Sequence, residues 1–259
     1  MENFSDYFKE NLLDLLNCNL QNYVFNENHV LNIWNDLNFY INSHKNGDYY
    51  PPHGTLESWY GPGDGVFPDV HPHHKHLLRL IKKYDVTQTL DCGAGSGMIT
   101  KYILADNQDK DMKLTCIEGH STHFSQMLEN FQSRTHVITP DIKVDAKLLY
   151  GNLTKIDLPD KSQEFVFSCT VIMHIPFIAA IASIVEMVRV SSKYICHIEN
   201  PNDFLNSVVK GQTQMPHQGL SIDYKKLYKK LGLDIVHYET APHPGNPGCN
   251  FVYVIAEKK

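Results

Sequence analysis

An aspartate followed by three alternating glycines carries the densest chemical signal in the chain: Thr-Leu-Asp-Cys-Gly-Ala-Gly-Ser-Gly-Met, residues 89–98. Glycines allow a backbone to turn sharply and to approach a ligand closely, so Gly93, Gly95 and Gly97 predict a strand-to-helix loop that cradles one. A dinucleotide loop of the GxGxxG kind needs glycine where Met98 stands, and no GxxxxGK[ST] phosphate loop is present. Asp91 excludes the same ligands by charge, because an anion at the strand end opposes a pyrophosphate seated at the following helix N-terminus. The carboxylate suits a ligand bearing an ammonium or sulfonium charge instead.

A second concentration of reactive side chains is Asp69, His71, His73, His74 and His76. Imidazole and carboxylate are transition-metal ligands, but His71 and His73 are split by a proline and no standard zinc spacing occurs. The segment is therefore expected to hold no metal, and His73 is retained as an acceptor-contacting candidate. Pro-His-Pro-Gly-Asn-Pro-Gly-Cys-Asn at 242–250 reads as a loop between two closing strands that could bring His243 to a pocket rim. Trp59 and Tyr60 stand in a turn-rich stretch, 46–74, long and aromatic enough to cover a site.

The elements that would position these residues follow from periodicity. From about residue 75 the chain alternates helix 75–83, strand 88–92, helix 97–106, strand 113–118, helix 121–131, strand 146–150, strand 164–169, helix 176–190, strand 193–198 and helix 222–231, then strands 233–239 and 250–257. Strands separated by helices imply βαβ units and a mostly parallel sheet covered on both faces, and the last two strands, with no helix between them, should pair antiparallel. Before this core, two helical patterns, 5–16 and 29–43, suggest an N-terminal helical cap over 1–74, with the ligand-binding domain over 75–259.

Composition bounds the rest. The 259 residues are 42% hydrophobic and 20% charged, with a net charge of −6, which fits one ordinary globular unit and excludes disordered and collagen-like classes. No apolar run reaches the ~18–20 residues that cross a bilayer, and Met-Glu-Asn-Phe-Ser-Asp is not a signal-peptide start, so a cytoplasmic location with no membrane partner is expected. Mild acidity argues against a nucleic-acid groove. The six cysteines lie far apart with no CxxC pair and read as reduced core residues.

The strand-end acid followed by GxGxG resembles the first motif of the class I S-adenosylmethionine-dependent methyltransferases, and the family's other landmarks appear in order over about 75–257. The resemblance implies a Rossmann-like α/β fold, a seven-stranded sheet with an antiparallel last strand, and S-adenosyl-L-methionine as cofactor. Glu118, ending Leu-Thr-Cys-Ile-Glu-Gly, matches the acid that accepts from both ribose hydroxyls. Tyr-Gly-Asn-Leu at 150–153 matches the adenine segment, with Asn152 in place of the usual aspartate, its amide oxygen accepting from the adenine amino group, and the Leu153 N–H meeting a ring nitrogen. Cys169 and Thr170 would sit beside the methionine moiety, and Tyr60 would fold over the cofactor.

His174, in Val-Ile-Met-His-Ile-Pro after the fourth strand, stands where small-molecule members of the family often carry a histidine, and is the first candidate for a general base. Metal-dependent catechol-type relatives place acids there, whereas this chain has Ser168, Cys169 and Thr170. The resemblance thus implies metal-independent methyl transfer to O or N of a small molecule, such as a surface-polysaccharide precursor or natural product. RNA or protein methylation, aminopropyl transfer, and a cofactor-binding silent subunit are the alternatives.

Overall fold

Strands rich in Ile, Val, Phe and Cys assemble into a seven-stranded sheet of order β3-β2-β1-β4-β5-β7-β6. The computed structural model describes residues 72–107, 111–132, 146–175, 177–199, 222–243 and 246–259. In chain order these form α1 (Pro72–Tyr84), β1 (Gln88–Cys92), α2 (Met98–Asp106), β2 (Lys113–Glu118), α3 (Ser121–Gln132), β3 (Ala146–Tyr150) and β4 (Gln163–Cys169). A short 3-10 turn (Ile172–His174), α4 (Phe177–Val190), β5 (Ser191–Glu199), α5 (Tyr224–Lys230), β6 (Asp234–His243) and β7 (Asn246–Glu257) complete it. The expected helices at 5–16 and 29–43, and Trp59, Tyr60, Asp69 and His71, lie outside the described residues.

β1 pairs in parallel with both β2 and β4, and β4 with β5, while β7 runs antiparallel between β5 and β6. The Rossmann-like α/β arrangement is thus the expected one. Alternation along the strands builds two cores. Phe165 and Phe167 of β4 face Leu77 and Ile81 of α1, Ile103 of α2 and Met127 of α3. Val166 and Ile195 face the other side, with α4 and with Leu227 and Tyr228 of α5. Burial at ~25 cal/mol per Å² of apolar surface on both faces is what makes the β-branched, nearly continuous apolar strands stable.

Two boundaries differ from expectation. α1 begins at Pro72 and not at 75, and proline suits the first helical position because its missing N–H is unneeded there. The closing hairpin is longer than its composition implies. β6 runs to His243 and β7 starts at Asn246, with Pro242 opposite Asn250, so most of 242–250 is strand, not loop. β6 is an edge strand, where prolines are tolerated because one side of the ladder is unpaired. Cys92, Cys116, Cys169 and Cys196 are free and buried in the core. Among the described residues no helix is long and apolar enough to cross a membrane.

Candidate active site

The sheet order reverses direction at β1, whose successor β2 lies on one side and β4 on the other; loops from two neighbouring strands therefore diverge above their C-terminal ends and leave a crevice. The first of these loops holds Gly93, Gly95 and Gly97 at φ of 78°, 58° and 81°. A Cβ at Gly93 would lie 2.4 Å from Val171 Cγ1, so the two loops touch only because no side chain is there. A Cβ at Gly95 would meet nothing within 4 Å, which leaves open space beside a backbone turned toward it. That space, not packing, is what a ligand needs.

Two acids flank it. Asp91 is buried, its Oδ2 accepting from Thr100 Oγ1 at 2.8 Å. Burial pushes its carboxyl up to about 7, the Thr100 bond opposing and Glu118 adding to the rise. A cation placed beside it would restore the ionised form. Glu118, ending β2, accepts from the N–H of Gly95 at 2.8 Å through Oε2 and from the N–H of His120 at 2.7 Å through Oε1. The side chain thus ties the glycine loop to β2 and keeps a second lone pair on each oxygen for vicinal hydroxyls.

Beyond β3, Asn152 Oδ1 accepts from the N–H and the hydroxyl of Thr154 at 2.9 and 3.1 Å. Its Nδ2 is buried with no hydrogen-bond partner among the described residues. The orientation is dictated, since the Thr154 N–H is a donor and must face the oxygen. The group left over is a donor, suited to a ring nitrogen and not to the exocyclic amine that the amide oxygen was expected to meet. The following segment is pinned by Arg189, which donates to the Ile156 and Leu158 carbonyls at 2.7 and 2.9 Å and pairs with Glu186, while Glu186 accepts from the Ile156 N–H at 2.8 Å.

The second loop starts at Thr170, whose φ of 56° is unusual for a β-branched residue and marks a forced turn at the end of β4. Buried Glu199, at the end of β5, holds the backbone beyond that turn: it accepts from the N–H groups of Val171, Ile172 and Met173 at 3.1, 3.1 and 3.2 Å and from Ser168 Oγ at 2.7 Å. Burial pushes Glu199 up to about 7, and the four donors pull the other way; all four being donors, they match a carboxylate. Because Ser168 spends its proton on Glu199, the His197 Nδ1 at 2.7 Å must donate to Ser168 Oγ. His197 lies stacked against Tyr224 and Tyr228, and burial lowers it to about 3, so the ring is neutral.

Residues 90–196, spanning both loops and the strands beneath them, match the family model described as a methyltransferase domain. By this match the segment is a methyltransferase domain. Solved structures share its fold: the magnesium protoporphyrin IX methyltransferase of Synechocystis PCC 6803 with bound S-adenosylhomocysteine has 10% identity, covers 90% of this chain and 100% of its own, and has a TM-score of 0.57. A SAM-dependent methyltransferase from Methanosarcina mazei has 15% identity over 74% of this chain and 99% of its own, with a TM-score of 0.56. The N-methyltransferase NodS from Bradyrhizobium japonicum WM9 has 13% identity over 78% and 96%, with a TM-score of 0.55. No curated relative matches the chain.

In the methyltransferase the residues present fit S-adenosyl-L-methionine: open space at Gly95, an orphaned donor on Asn152, and carboxylates on Asp91 and Glu118. Leu153 and Cys169 are buried beside these loops, and burial raises the Cys169 thiol well above its ordinary value, so it is a neutral lining group. The catalytic candidates fall on different elements. His174 ends the 3-10 turn held by Glu199, His73 stands in the first turn of α1, and His243 ends β6. Glu199, Ser168 and His197 are not among the sequence-derived candidates; the one signal for them is a polar set at alternate positions, His197 and Glu199, in an otherwise apolar strand.

Proposed function

We propose that this methyltransferase transfers a methyl group to O or N of a small molecule without a metal at the acceptor, with His174 as the base or orienting group. The observation that carries this reading is the grip of Glu199 on three successive N–H groups, which fixes the backbone that leads into His174. S-adenosyl-L-methionine supplies a methyl group activated by a sulfonium charge. Transfer of this kind is in-line, so its rate depends on alignment and on exclusion of water more than on strong acids or bases.

Each residue has a part in that alignment. Asp91 holds cationic charge, Glu118 the ribose hydroxyls, and Asn152 with Leu153 the adenine edge. Cys169 and Thr170 border the methionine end, Tyr60 folds over the cofactor, and His73 and His243 belong to the acceptor side. A surface-polysaccharide precursor or natural product is the proposed acceptor class; neutral and anionic acceptors differ in whether His174 must take a proton.

The test is labelled methyl transfer from S-adenosylmethionine to panels of sugar nucleotides, phosphates, amines and phenols, run beside RNA and protein acceptors, with and without added Mg²⁺. Methylation of one small-molecule class, unchanged by Mg²⁺, supports the reading. His174→Ala should retain S-adenosylhomocysteine binding and lose turnover; unchanged turnover removes His174 from its role. Transfer to RNA or protein alone, or cofactor binding with no transfer to any panel, overturns the small-molecule assignment.

A further inference from the structure

Three ligand-type side chains from two distant parts of the sequence converge at the outer flank of the sheet. His76 on α1 presents Nε2 3.8 Å from Glu239 Oε2, and His237 on β6 presents Nε2 3.7 Å from the same oxygen. His237 and Glu239 are two residues apart and share one face of the strand, opposite Ile255 and Tyr253 of β7, both of which belong to the core cluster that also contains Leu77 and Ile81 of α1. The ladder shifts register between Ile235 and His237, an irregularity of the kind that re-aims side chains. Tyr253 packs on His76 with ring centroids 4.2 Å apart, which backs the cluster with an aromatic wall.

The contacts themselves are unfinished. Both Nε2 atoms are shielded from solvent and have no hydrogen-bond partner among the described residues, and 3.7–3.8 Å is too long for an N–H···O bond. Burial lowers both imidazoles, which favours the neutral ring that a metal ion binds. Two nitrogens and a carboxylate oxygen, all within 4.8 Å of one another and none bonded to another, form a donor set waiting for a shared acceptor.

We propose that His76, His237 and Glu239 bind a divalent transition-metal ion of the Zn²⁺ type, which fastens α1 to the edge strand β6. Two neutral imidazoles and one carboxylate make up a borderline N2O set that zinc accepts, with bond lengths of about 2.0–2.2 Å, and the fourth position is left to water. Ligand atoms of a tetrahedral ion stand about 3.3–3.4 Å apart, so each imidazole closes on Glu239 by about 0.4 Å and the separations of up to 4.8 Å within the set close by at most about 1.4 Å. Arg79 and Lys83, along α1, oppose a cation here, so the affinity rests on coordination and not on net charge.

The site is separate from the chemistry of transfer. Glu239 stands level with Cys169 through Tyr253 and Ile198, three strand spacings away, about 14 Å across the sheet. Its effect is on architecture: α1 is the element that connects residues 1–71 to the sheet, and an ion at its second turn would hold that connection to the last hairpin. The histidine-rich segment 69–76 thus contributes one ligand, and the other two come from more than 150 residues downstream.

The full-length protein, stripped of metal, is titrated with Zn²⁺ by calorimetry and with Co²⁺ by absorption, beside His76→Ala, His237→Ala, Glu239→Gln and, as a control, His123→Ala. One equivalent of Zn²⁺, intense absorption of four-coordinate Co²⁺, and a higher thermal midpoint with zinc are expected. Each ligand variant should lose roughly tenfold or more in affinity, and His123→Ala should not. S-adenosylhomocysteine binding by each variant shows that it is folded, and Glu239→Gln keeps the shape of the site if a histidine variant does not fold. No equimolar binding, or binding unchanged in the folded ligand variants, overturns the proposal.

Discussion

The two loops that face each other above β1 and β4 are held by opposite means. The β1 loop is shaped by what is missing: glycines let it turn and let Val171 touch it, and its acids reach it from strand ends. The β4 loop is shaped by what is present, one buried carboxylate that gathers three backbone N–H groups and a serine. Open space with acids beside it suits binding of a cationic ligand, whereas a backbone locked from below suits positioning of a reacting group. Binding and positioning are therefore separable in this molecule, and substitutions should separate them.

The largest effect is expected at Glu199. Replacing it by Ala leaves four buried donors without an acceptor, a loss of about 3 kcal/mol, which thermal denaturation should show as a midpoint lowered by roughly 6–12 °C. A shift of a degree or two would mean that the β4 loop is held by packing instead. Glu199→Gln should fold, keep S-adenosylhomocysteine affinity within about twofold, and lower turnover.

Asp91→Ala comes next, with S-adenosylhomocysteine bound more than ~10-fold weaker by calorimetry and turnover at saturation less affected. The same carboxylate sets a pH dependence. Its folded-state value, near 7, means that the ionised form needed for a cationic ligand appears only as pH rises, so affinity should increase about tenfold from pH 6 to pH 8. For the unliganded protein the sign is reversed. Asp91 holds a proton in the folded state that the unfolded chain has released, so its contribution to stability is full below about pH 4 and is lost as pH rises to 7. Asp91→Asn should flatten both slopes; slopes unchanged in that variant would assign them to other groups.

The smallest effect is expected at the adenine end, where Asn152→Ala removes one donor and should weaken S-adenosylhomocysteine by about threefold. A loss of tenfold or more would make Asn152 as important as Asp91.

How far the sequence is legible depends on the same division. The β1 loop can be read because its chemistry is local: acid, glycines and helix start lie within ten residues. The parallel core can be read because strands buried on both faces are nearly continuous apolar runs. Glu199, Ser168 and His197 cannot, because their meeting depends on β4 and β5 being neighbours in the right register, with 31 residues between Ser168 and Glu199. The hairpin reads too short because Pro242, Pro247 and Gly248 signal turns; strands pass through them because Pro242 lies on the edge strand β6, and Pro247 and Gly248 lie in the part of β7 that precedes its pairing with β5, which covers Val252–Glu257. Asn152 is visible as a candidate, but its internal bond to Thr154, two residues away, decides which end of the amide is free.

The order of the last three strands has a consequence for how the chain is assembled. β7 lies between β5 and β6, so β6 is synthesised before the strand that connects it to the rest of the sheet. Until β7 emerges, β5 presents an open ladder beside strands that are already paired, an edge able to recruit a strand from another chain. The hairpin must therefore form as a unit and dock as one, and its arrival converts an adhesive edge into an interior.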